Sequence, residues 1–182
     1  VPVIEGVEED VPEPNLSQGH KTMKAVYFDP TTTFQFYSKS RDAKPGKGAG
    51  EKIKPSNASL YTDLSKIPHW RRILSNFHIA PFQLEGRQWQ SVEHYFQGSK
   101  FKKENPNFYE TFSLDSNTPL SKNPAMAKAA GGKTGKFKGK RLRPAKIQVD
   151  RDFFKTSRHT EEMYKTQVAK YTQNDLPKQT LL

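Results

Sequence analysis

Residues 74–101 read LSNFHIAPFQLEGRQWQSVEHYFQGSKF, and the hydrophobic pattern changes twice along them. Glu85-Gly86 stands between two short apolar segments, and a two-residue turn of this kind closes β-hairpins. From Ser91 onward the apolar spacing becomes helical, and the Ser91 hydroxyl is a good N-terminal cap. The sequence therefore predicts a hairpin followed by a buried helix over residues 91–104. The predicted buried stripe of that helix holds Val92, Tyr95 and Phe96.

Glu93 falls in the first turn of the predicted helix. It starts a second line of side chains that continues with Gln97 and Lys100 on a neighbouring face. A carboxylate in the first turn of a helix lies near unpaired N–H groups and the positive end of the helix dipole. We therefore expect Glu93 to stay ionised, which suits a group that stabilises positive charge.

Five short segments of the chain resemble the NADAR or YbiA-like family. They are Phe36-Tyr37, residues 74–77, residues 84–86, residues 91–97 and Lys100-Phe101. The element SVEHYFQ with SNF upstream is a specific signature, and the resemblance covers roughly residues 34–182. It implies a helix-dominated α+β single domain with a few short strands.

The same resemblance implies N-glycosidase activity without a cofactor. Members of the family cleave the base–ribose bond of ribosylaminopyrimidine phosphates of the riboflavin pathway, or remove ADP-ribose from guanine in DNA. An oxocarbenium-like transition state is stabilised by a nearby carboxylate, and Glu93 is the candidate for that role. Asp150 and Asp152, ahead of the last predicted helix, are candidates for the group that activates water or protonates the base.

The candidate substrate-binding residues come from the family motifs and from the basic segment described below. Asn76 and Gln97 offer amides for ribose hydroxyls. Trp89 and Tyr95 can stack on a ring or pack in the core, and His94 is expected to be structural. The full candidate set is Tyr37, Ser75, Asn76, Phe77, Trp89, Tyr95, Gln97, Lys100, Lys133, Lys136, Arg141, Arg143 and Phe153.

The composition favours phosphate-bearing partners. The 182 residues suit one domain, and they carry a net charge of +11. Residues 1–20 hold five acids and no Lys or Arg, so the remaining residues carry +16. We expect residues 1–20 to form an extended acidic arm that is disordered or docks on the basic body or on a protein partner. Residues 21–182 are expected to form the domain, with a truncated C-terminus, because relatives continue further.

Two basic segments stand out, over residues 39–58 and 131–146. The second reads GGKTGKFKGKRLRPAK, with seven basic residues and no acid. Glycines and spaced cations predict a mobile loop that contacts phosphate, although such runs are often only solvated surface. Phosphate contact is also one interpretation of the first segment. For Arg71 and Arg72, which follow that segment, one interpretation is phosphate contact and the other is an exposed surface pair.

Features that the sequence lacks bear on metal binding, membrane partners and location. The chain has no Cys, and its five His residues are far apart, so no metal site is expected. It has no long apolar run, so no membrane partner is expected, and the predicted location is intracellular, in the cytoplasm or nucleus.

The flanking elements are predicted from local signals. Residues 23–29 and 33–38 are rich in β-formers and predict two strands. Asn123-Pro124 predicts the start of a helix that ends at Gly131-Gly132. Thr160 is expected to cap a last helix that ends near Thr172. Its predicted apolar positions are Met163, Tyr164, Val168 and Tyr171.

Two functions from different classes are therefore open. The first is the N-glycosidase. The second is a non-catalytic protein that retains the fold and binds ADP-ribose or nucleic acid, or packs in an assembly. The intact SVEHYFQ element favours the first, and the early C-terminus favours the second.

Overall fold

A computed structural model describes residues 29–182. The acidic arm over residues 1–20 lies outside the described residues, as does almost all of the strand predicted over residues 23–29. Short helices dominate the described part, and two small antiparallel hairpins complete it. The predicted class, helix-dominated α+β with a few short strands, is confirmed.

The elements follow one another in a simple order. The α-helices are α1 (Trp70–Leu74), α2 (Val92–Ser99), α3 (Pro106–Glu110), α4 (Pro124–Gly131), α5 (Arg158–Gln173) and α6 (Asp175–Leu181). The strands are β1 (Phe82–Leu84), β2 (Arg87–Trp89), β3 (Lys136–Phe137) and β4 (Lys140–Arg141). Short 3₁₀ helices span Pro55–Tyr61, Leu64–Lys66, Leu114–Ser116 and Leu120–Lys122. Within residues 29–182, no helix is both long and apolar enough to span a bilayer.

The β1–β2 hairpin forms where the sequence predicts it. Phe82 pairs with Trp89, and the two turn residues, Glu85 and Gly86, have φ angles of 51° and 72°. Two consecutive positive φ angles define the turn that matches the twist of a tight hairpin. The Trp89 indole also donates to the Leu84 carbonyl at 3.0 Å. The hairpin thereby buries Phe82 and Trp89 in the core.

Helix α2 is the centre of the core. It packs against α4 and α5, and seven of its eight residues are buried. The Ser91 hydroxyl caps its N-terminus by accepting from the His94 N–H, as predicted. The core around it is strongly aromatic, which compensates for the low aliphatic content. Its large members are Phe82, Trp89, Val92, Tyr95, Phe101, Phe108, Tyr109, Phe112 and Leu120.

The predicted helix over residues 91–104 ends earlier, at Ser99. Residues 100–104 instead turn around one carboxylate. Asp150 accepts from the N–H groups of Lys103 and Glu104 at 2.9 and 3.0 Å, and its own N–H donates to the Lys100 carbonyl at 2.7 Å. The chain leaves the helix because this distant side chain supplies better partners for the backbone.

The strand predicted over residues 33–38 is wrong. Only Thr33 pairs, in an isolated bridge with Lys52. Beyond it, the Gln35 N–H donates to the Glu51 carboxylate at 3.4 Å, so a side chain replaces the neighbouring strand. A ladder cannot continue where no backbone faces the extended segment.

Helix α5 exists, but its predicted cap is wrong, and of its four predicted apolar positions only Met163 and Tyr171 are partly buried. It begins at Arg158, two residues before Thr160, and Tyr164 and Val168 are exposed. Its buried face is polar instead. That face holds Arg158, Glu162, Thr166, Ala169 and Lys170. Hydrophobic periodicity fails here because the helix packs on carbonyls, a tyrosine hydroxyl and a carboxylate.

The Asp150–Arg158 ion pair anchors the start of α5, with an oxygen–nitrogen distance of 2.6 Å and both side chains buried. Asp150→Asn keeps the shape but leaves Arg158 without its buried counter-charge. We expect the free energy of unfolding to fall by about 3 kcal/mol, because a buried charge has lost its partner. Urea denaturation at neutral pH measures this.

Asp152→Asn is the matched control for that substitution. Asp152 also pairs with Arg158, at 3.2 Å, but it is partly exposed. Its loss should cost less than about 1 kcal/mol. Equal costs for the two substitutions would contradict the structural role of Asp150.

Candidate active site

Glu93 lies in the first turn of α2 with only 7% of its surface exposed. Its N–H donates to the Asn76 carbonyl at 3.0 Å, so the segment 75–77 closes off the start of the helix. Burial raises the pKa of the Glu93 carboxyl above its ordinary value. Desolvation is thus the largest effect on this carboxyl, and it acts against the helix N-terminus, which was expected to keep Glu93 ionised.

Three side chains act on the Glu93 carboxylate and oppose the effect of burial. Gln97, one turn along α2, donates its amide to Oε1 at 2.8 Å. The ammonium groups of Lys128 and Lys100 attract the charged form, and both lower the pKa of Glu93. The structure thus brings together Glu93, Gln97 and Lys100, as the sequence predicted, and adds Lys128 from α4.

The segment Ser75–Phe77 is held in place from α5. The buried Lys170 ammonium donates to the carbonyls of Ile73 and Ser75 at 2.7 and 2.9 Å. Gln167 donates to the Asn76 side-chain oxygen at 2.8 Å. Lys170 is buried against carbonyls, and burial lowers its pKa to about 8. Ser75 and Asn76 therefore contribute mainly through their backbone, which positions Glu93.

Aromatic rings surround the lysines near Glu93. The Lys128 ammonium lies over the half-buried Phe77 ring at 5.6 Å from its centroid. Lys100 lies between the rings of Phe96 and Phe154, 5.7 and 5.6 Å from their centroids. Phe154 is largely exposed, so part of its ring is open to solvent. Rings and cations together suit a substrate that has both a planar base and phosphates.

Gly131 approaches Gln97 so closely that no side chain fits. A Cβ at Gly131 would lie 2.0 Å from the Gln97 side-chain oxygen and 2.9 Å from its Cβ. The Gly131 carbonyl accepts from Lys100 at 3.0 Å. This glycine therefore controls the two α2 side chains that act on Glu93.

The basic segment 131–146 contains the β3–β4 hairpin rather than the predicted loop alone. Its turn residues, Lys138 and Gly139, both have positive φ. Arg143 fixes the base of this hairpin by donating to the carbonyls of Ala130, Gly132 and Lys133. Arg143 thus has a structural role in these contacts. The predicted phosphate ligands Lys133, Lys136 and Arg141 have exposed side chains.

Three of the nominated aromatic residues are fully buried. Trp89 and Tyr95 pack edge to face at 5.0 Å between centroids, and the Tyr95 hydroxyl donates to Glu162. Phe153 packs against Phe96 and Phe154. None of the three presents a ring face for stacking, so their contacts are those of core residues. Phe154, next to Phe153, is the exposed ring at this position.

The two nominated aspartates are occupied by cations. Asp150 accepts from Arg158 and from two backbone N–H groups, and Asp152 pairs with Lys103 and Arg158. These contacts supply a structural role for both carboxylates. Within residues 29–182, no three acidic or histidine side chains lie close enough together to hold a metal ion.

His94 is fully buried beside Glu93 in sequence but has a different environment. Its ring nitrogens lie 2.7 Å from the Ser91 hydroxyl and 3.0 Å from the Leu120 carbonyl. Burial lowers the pKa of His94 to about 4, so the ring is neutral at pH 7. The first contact supports the N-terminal cap of α2, and the second ties α2 to the turn before α4, which agrees with the predicted structural role.

Tyr37 and Arg71 line a cavity that does not include Glu93. Tyr37 lines a cavity of about 610 Å³ formed with residues 39–49, and Glu93 is not among the residues that line it. Arg71 also lines this cavity but is buried, because it pairs with Glu51 at 2.6 Å, so the interpretation as an exposed pair holds for Arg72 alone. The residues that sequence reasoning missed near Glu93 are Lys128, Gly131, Phe154, Gln167 and Lys170. Phe154 had a local signal as the neighbour of Phe153, and Lys170 had one because residues 169–174 resemble a further segment of the family.

The close contact between Gly131 and Gln97 makes a direct prediction. Gly131→Ala should displace Gln97 and lower the free energy of unfolding by about 1–3 kcal/mol, the usual cost of overpacking. Chemical denaturation measures this in the wild-type and Gln97→Ala backgrounds. Gln97→Ala removes the side-chain oxygen that a Cβ at residue 131 would meet at 2.0 Å and leaves only the approach to the residue 97 Cβ at 2.9 Å, so Gly131→Ala should cost less there. The same cost in both backgrounds would show that Gly131 does not act through Gln97.

Comparisons with known proteins give limited similarity. No protein-family model matches the chain, and no curated protein matches it. Among solved structures, the chain is similar to the NMR structure of the E. coli protein YbiA, with 22% identity and a TM-score of 0.40. The matched part covers 61% of this chain, and the chain spans about half of that protein, 53% of its length.

Proposed function

We propose that this protein is an N-glycosidase that hydrolyses the bond between a base and the ribose of a phosphorylated ribosyl substrate. The observation that carries the proposal is the Glu93 carboxylate, buried in the first turn of α2 and contacted by Gln97. The resemblance of residues 91–97 to the family element supports the same assignment. The substrates considered are ADP-ribosylated guanine in DNA and a ribosylaminopyrimidine phosphate.

Glu93 acts on the charge that develops as the bond breaks. When the C1–N bond lengthens, its electron pair moves to the base nitrogen, and positive charge appears on the ribose C1 and ring oxygen. A carboxylate in a site of low dielectric stabilises that charge more strongly than it does in water. Gln97 keeps the carboxylate oriented, so little reorganisation is needed when the charge forms.

Protons balance with one water molecule. The water oxygen adds to C1 and Glu93 accepts one of the water protons, while the released base nitrogen takes a proton from solvent, which Glu93 replaces when it gives up its own. Because burial raises the pKa of Glu93, this group is a better proton acceptor than an exposed glutamate. The proposal assigns proton acceptance to Glu93 alone, since Asp150 and Asp152 are engaged by cations.

Lys100 and Lys128 have a second role in the proposal. They favour the ionised form of Glu93 by attracting its charge, against the effect of burial. When substrate phosphates bind near Lys100 and Lys128, their negative charge offsets the attraction of the two ammonium groups for the Glu93 carboxylate. The carboxylate then becomes more basic in the substrate complex, at the moment when a proton acceptor is required.

The exposed surroundings supply the remaining contacts. The Phe154 ring offers a stacking surface beside Lys100. The basic segment 131–146 begins at Gly131, which lies against Gln97, and its cations Lys133, Lys136 and Arg141 are exposed. These features favour phosphates flanking the scissile ribose, as in ADP-ribose.

Glu93→Gln tests the chemical assignment. It preserves the volume of the side chain and its contact with Gln97 but removes the negative charge that stabilises the oxocarbenium. We expect the rate of base release to fall roughly a thousandfold, while the Kd for ADP-ribose changes by less than about threefold, because the charge acts mainly in the transition state. The wild-type rate should also fall at low pH, through a pKa above the ordinary glutamate value.

Glu161→Gln is the matched control, because Glu161 is also a first-turn glutamate but is exposed. It should leave base release unchanged. A Glu93→Gln protein that releases base at the wild-type rate would remove Glu93 from the mechanism. A wild-type protein that binds ADP-ribose but acts on neither substrate would support the non-catalytic binding protein.

A second prediction concerns the hairpin cations. Replacing Lys133, Lys136 and Arg141 with Gln should weaken binding of ADP-ribosylated DNA and flatten its dependence on salt, because fewer counterions are released. Titrations at several salt concentrations measure both effects. The control variant neutralises Lys122, Lys155 and Lys178, which are exposed elsewhere. If both variants weaken binding equally, the hairpin contributes only net charge.

A further inference from the structure

We infer that the cavity formed by residues 35–49 and Arg71 is a second binding site, for the phosphate group and ring of a nucleotide. The cavity has a volume of about 610 Å³, which is within the range of small-molecule sites, roughly 300–1,000 Å³. The inference does not rest on the glycosidase proposal, because Glu93 does not line this cavity.

The wall of the cavity is ordered by a buried ion pair. Arg71 donates to both oxygens of Glu51, at 2.7 and 2.6 Å. It also donates to the carbonyls of Ala43 and Lys44, at 2.6 and 3.1 Å. One arginine thus fixes both limbs of the loop. The shape of the cavity therefore exists before any ligand binds.

Glu51 completes this frame from the other side. Its carboxylate accepts from the N–H groups of Gly46 and Gly48 at 3.0 Å each. With these bonds and the Arg71 pair, the negative charge of Glu51 is satisfied and buried. The frame is consequently close to neutral, and the other charged groups decide which ligands the cavity attracts.

Those groups are mainly cations. Lys39, Arg41 and Lys47 line the cavity and are exposed. The one other charged lining residue is Asp42, whose carboxylate lies 3.8 Å from the His69 ring. The lining therefore has an excess of positive charge, and it favours an anion that several cations can contact together.

Tyr37 adds a surface for a planar ring. Its side chain is 52% exposed, and it lies at the cavity through a tight turn in which the Ser40 N–H donates to the Tyr37 carbonyl at 3.0 Å. The Ser40 hydroxyl accepts from the Tyr37 N–H at 2.9 Å. The turn thus fixes the tyrosine next to Lys39 and Arg41. A base on the ring and a phosphate on the cations is the arrangement of a nucleotide.

The nucleotide can be free or part of a nucleic acid, and titrations followed by amide NMR spectra of the full chain distinguish the two. The probes are inorganic phosphate, adenosine 5′-monophosphate and a single-stranded hexathymidylate. We expect saturable shifts of the amides of residues 37–49 with a nucleotide probe. Tighter binding of the mononucleotide assigns the site to free nucleotides, and tighter binding of the oligonucleotide assigns it to nucleic acid.

Variants separate the cavity from general charge effects. Replacing Lys39, Arg41 and Lys47 with Gln should weaken nucleotide binding at least tenfold. The control variant replaces Lys52, Lys54 and Lys155 with Gln. These substitutions remove the same amount of positive charge, but the three lysines do not line the cavity. Tyr37→Leu should weaken binding of the nucleotides but not of phosphate.

Glu93→Gln should leave the affinity of the cavity for nucleotides unchanged, because Glu93 does not line it. The test of the cavity is therefore independent of the test of the glycosidase proposal. Three outcomes would overturn the inference. They are no shifts at residues 37–49 with either nucleotide probe, a response to inorganic phosphate alone, and an equal loss of affinity in the control variant.

Discussion

The buried ammonium of Lys170 is the contact on which the candidate site depends most. It holds the carbonyls of Ile73 and Ser75, at the end of α1, against the last long helix. The next residue, Asn76, presents its carbonyl to the Glu93 N–H. A lysine on α5 therefore fixes the start of α2, although the two helices are far apart in sequence.

The other buried polar side chains of α5 also hold the segments around α2 in place. Arg158 holds Asp150, which ends α2 by drawing away the backbone that follows it. Glu162 accepts from the Tyr95 hydroxyl and pairs with Lys102 at 2.8 Å. Each of these groups would be costly to bury alone, so together they specify one position of the helix. The result is a rigid support beneath Glu93.

Local signals predicted the elements that local chemistry controls. The Glu85-Gly86 turn, the Ser91 cap and the Asn123-Pro124 helix start were all predicted correctly, because each depends on a few neighbouring residues. The pairing of Gln97 with Glu93 was also foreseeable from helical spacing. By contrast, the buried face of α5 was wrong, since its partners come from distant segments.

The site itself was predictable only in part. Glu93, Gln97 and Lys100 share one helix, so the sequence brings them together. Lys128 and the approach of Gly131 depend on how α4 packs against α2, which no local pattern records. The sequence also could not tell which of two neighbouring phenylalanines is exposed at the site. Phe153 is buried in the core, and Phe154 is exposed.

If Glu93 carries the chemistry, its carboxylate faces the reacting carbon of a bound ribose, and a crystal structure of the protein with ADP-ribose bound shows whether it does. We expect a distance of about 3–3.5 Å between a Glu93 oxygen and the ribose C1, the separation of reacting atoms in a productive complex. We also expect Gln97 still to contact the other side of the carboxylate. A ribose bound away from α2, with Glu93 contacting only protein groups, would show that Glu93 is not the catalytic group.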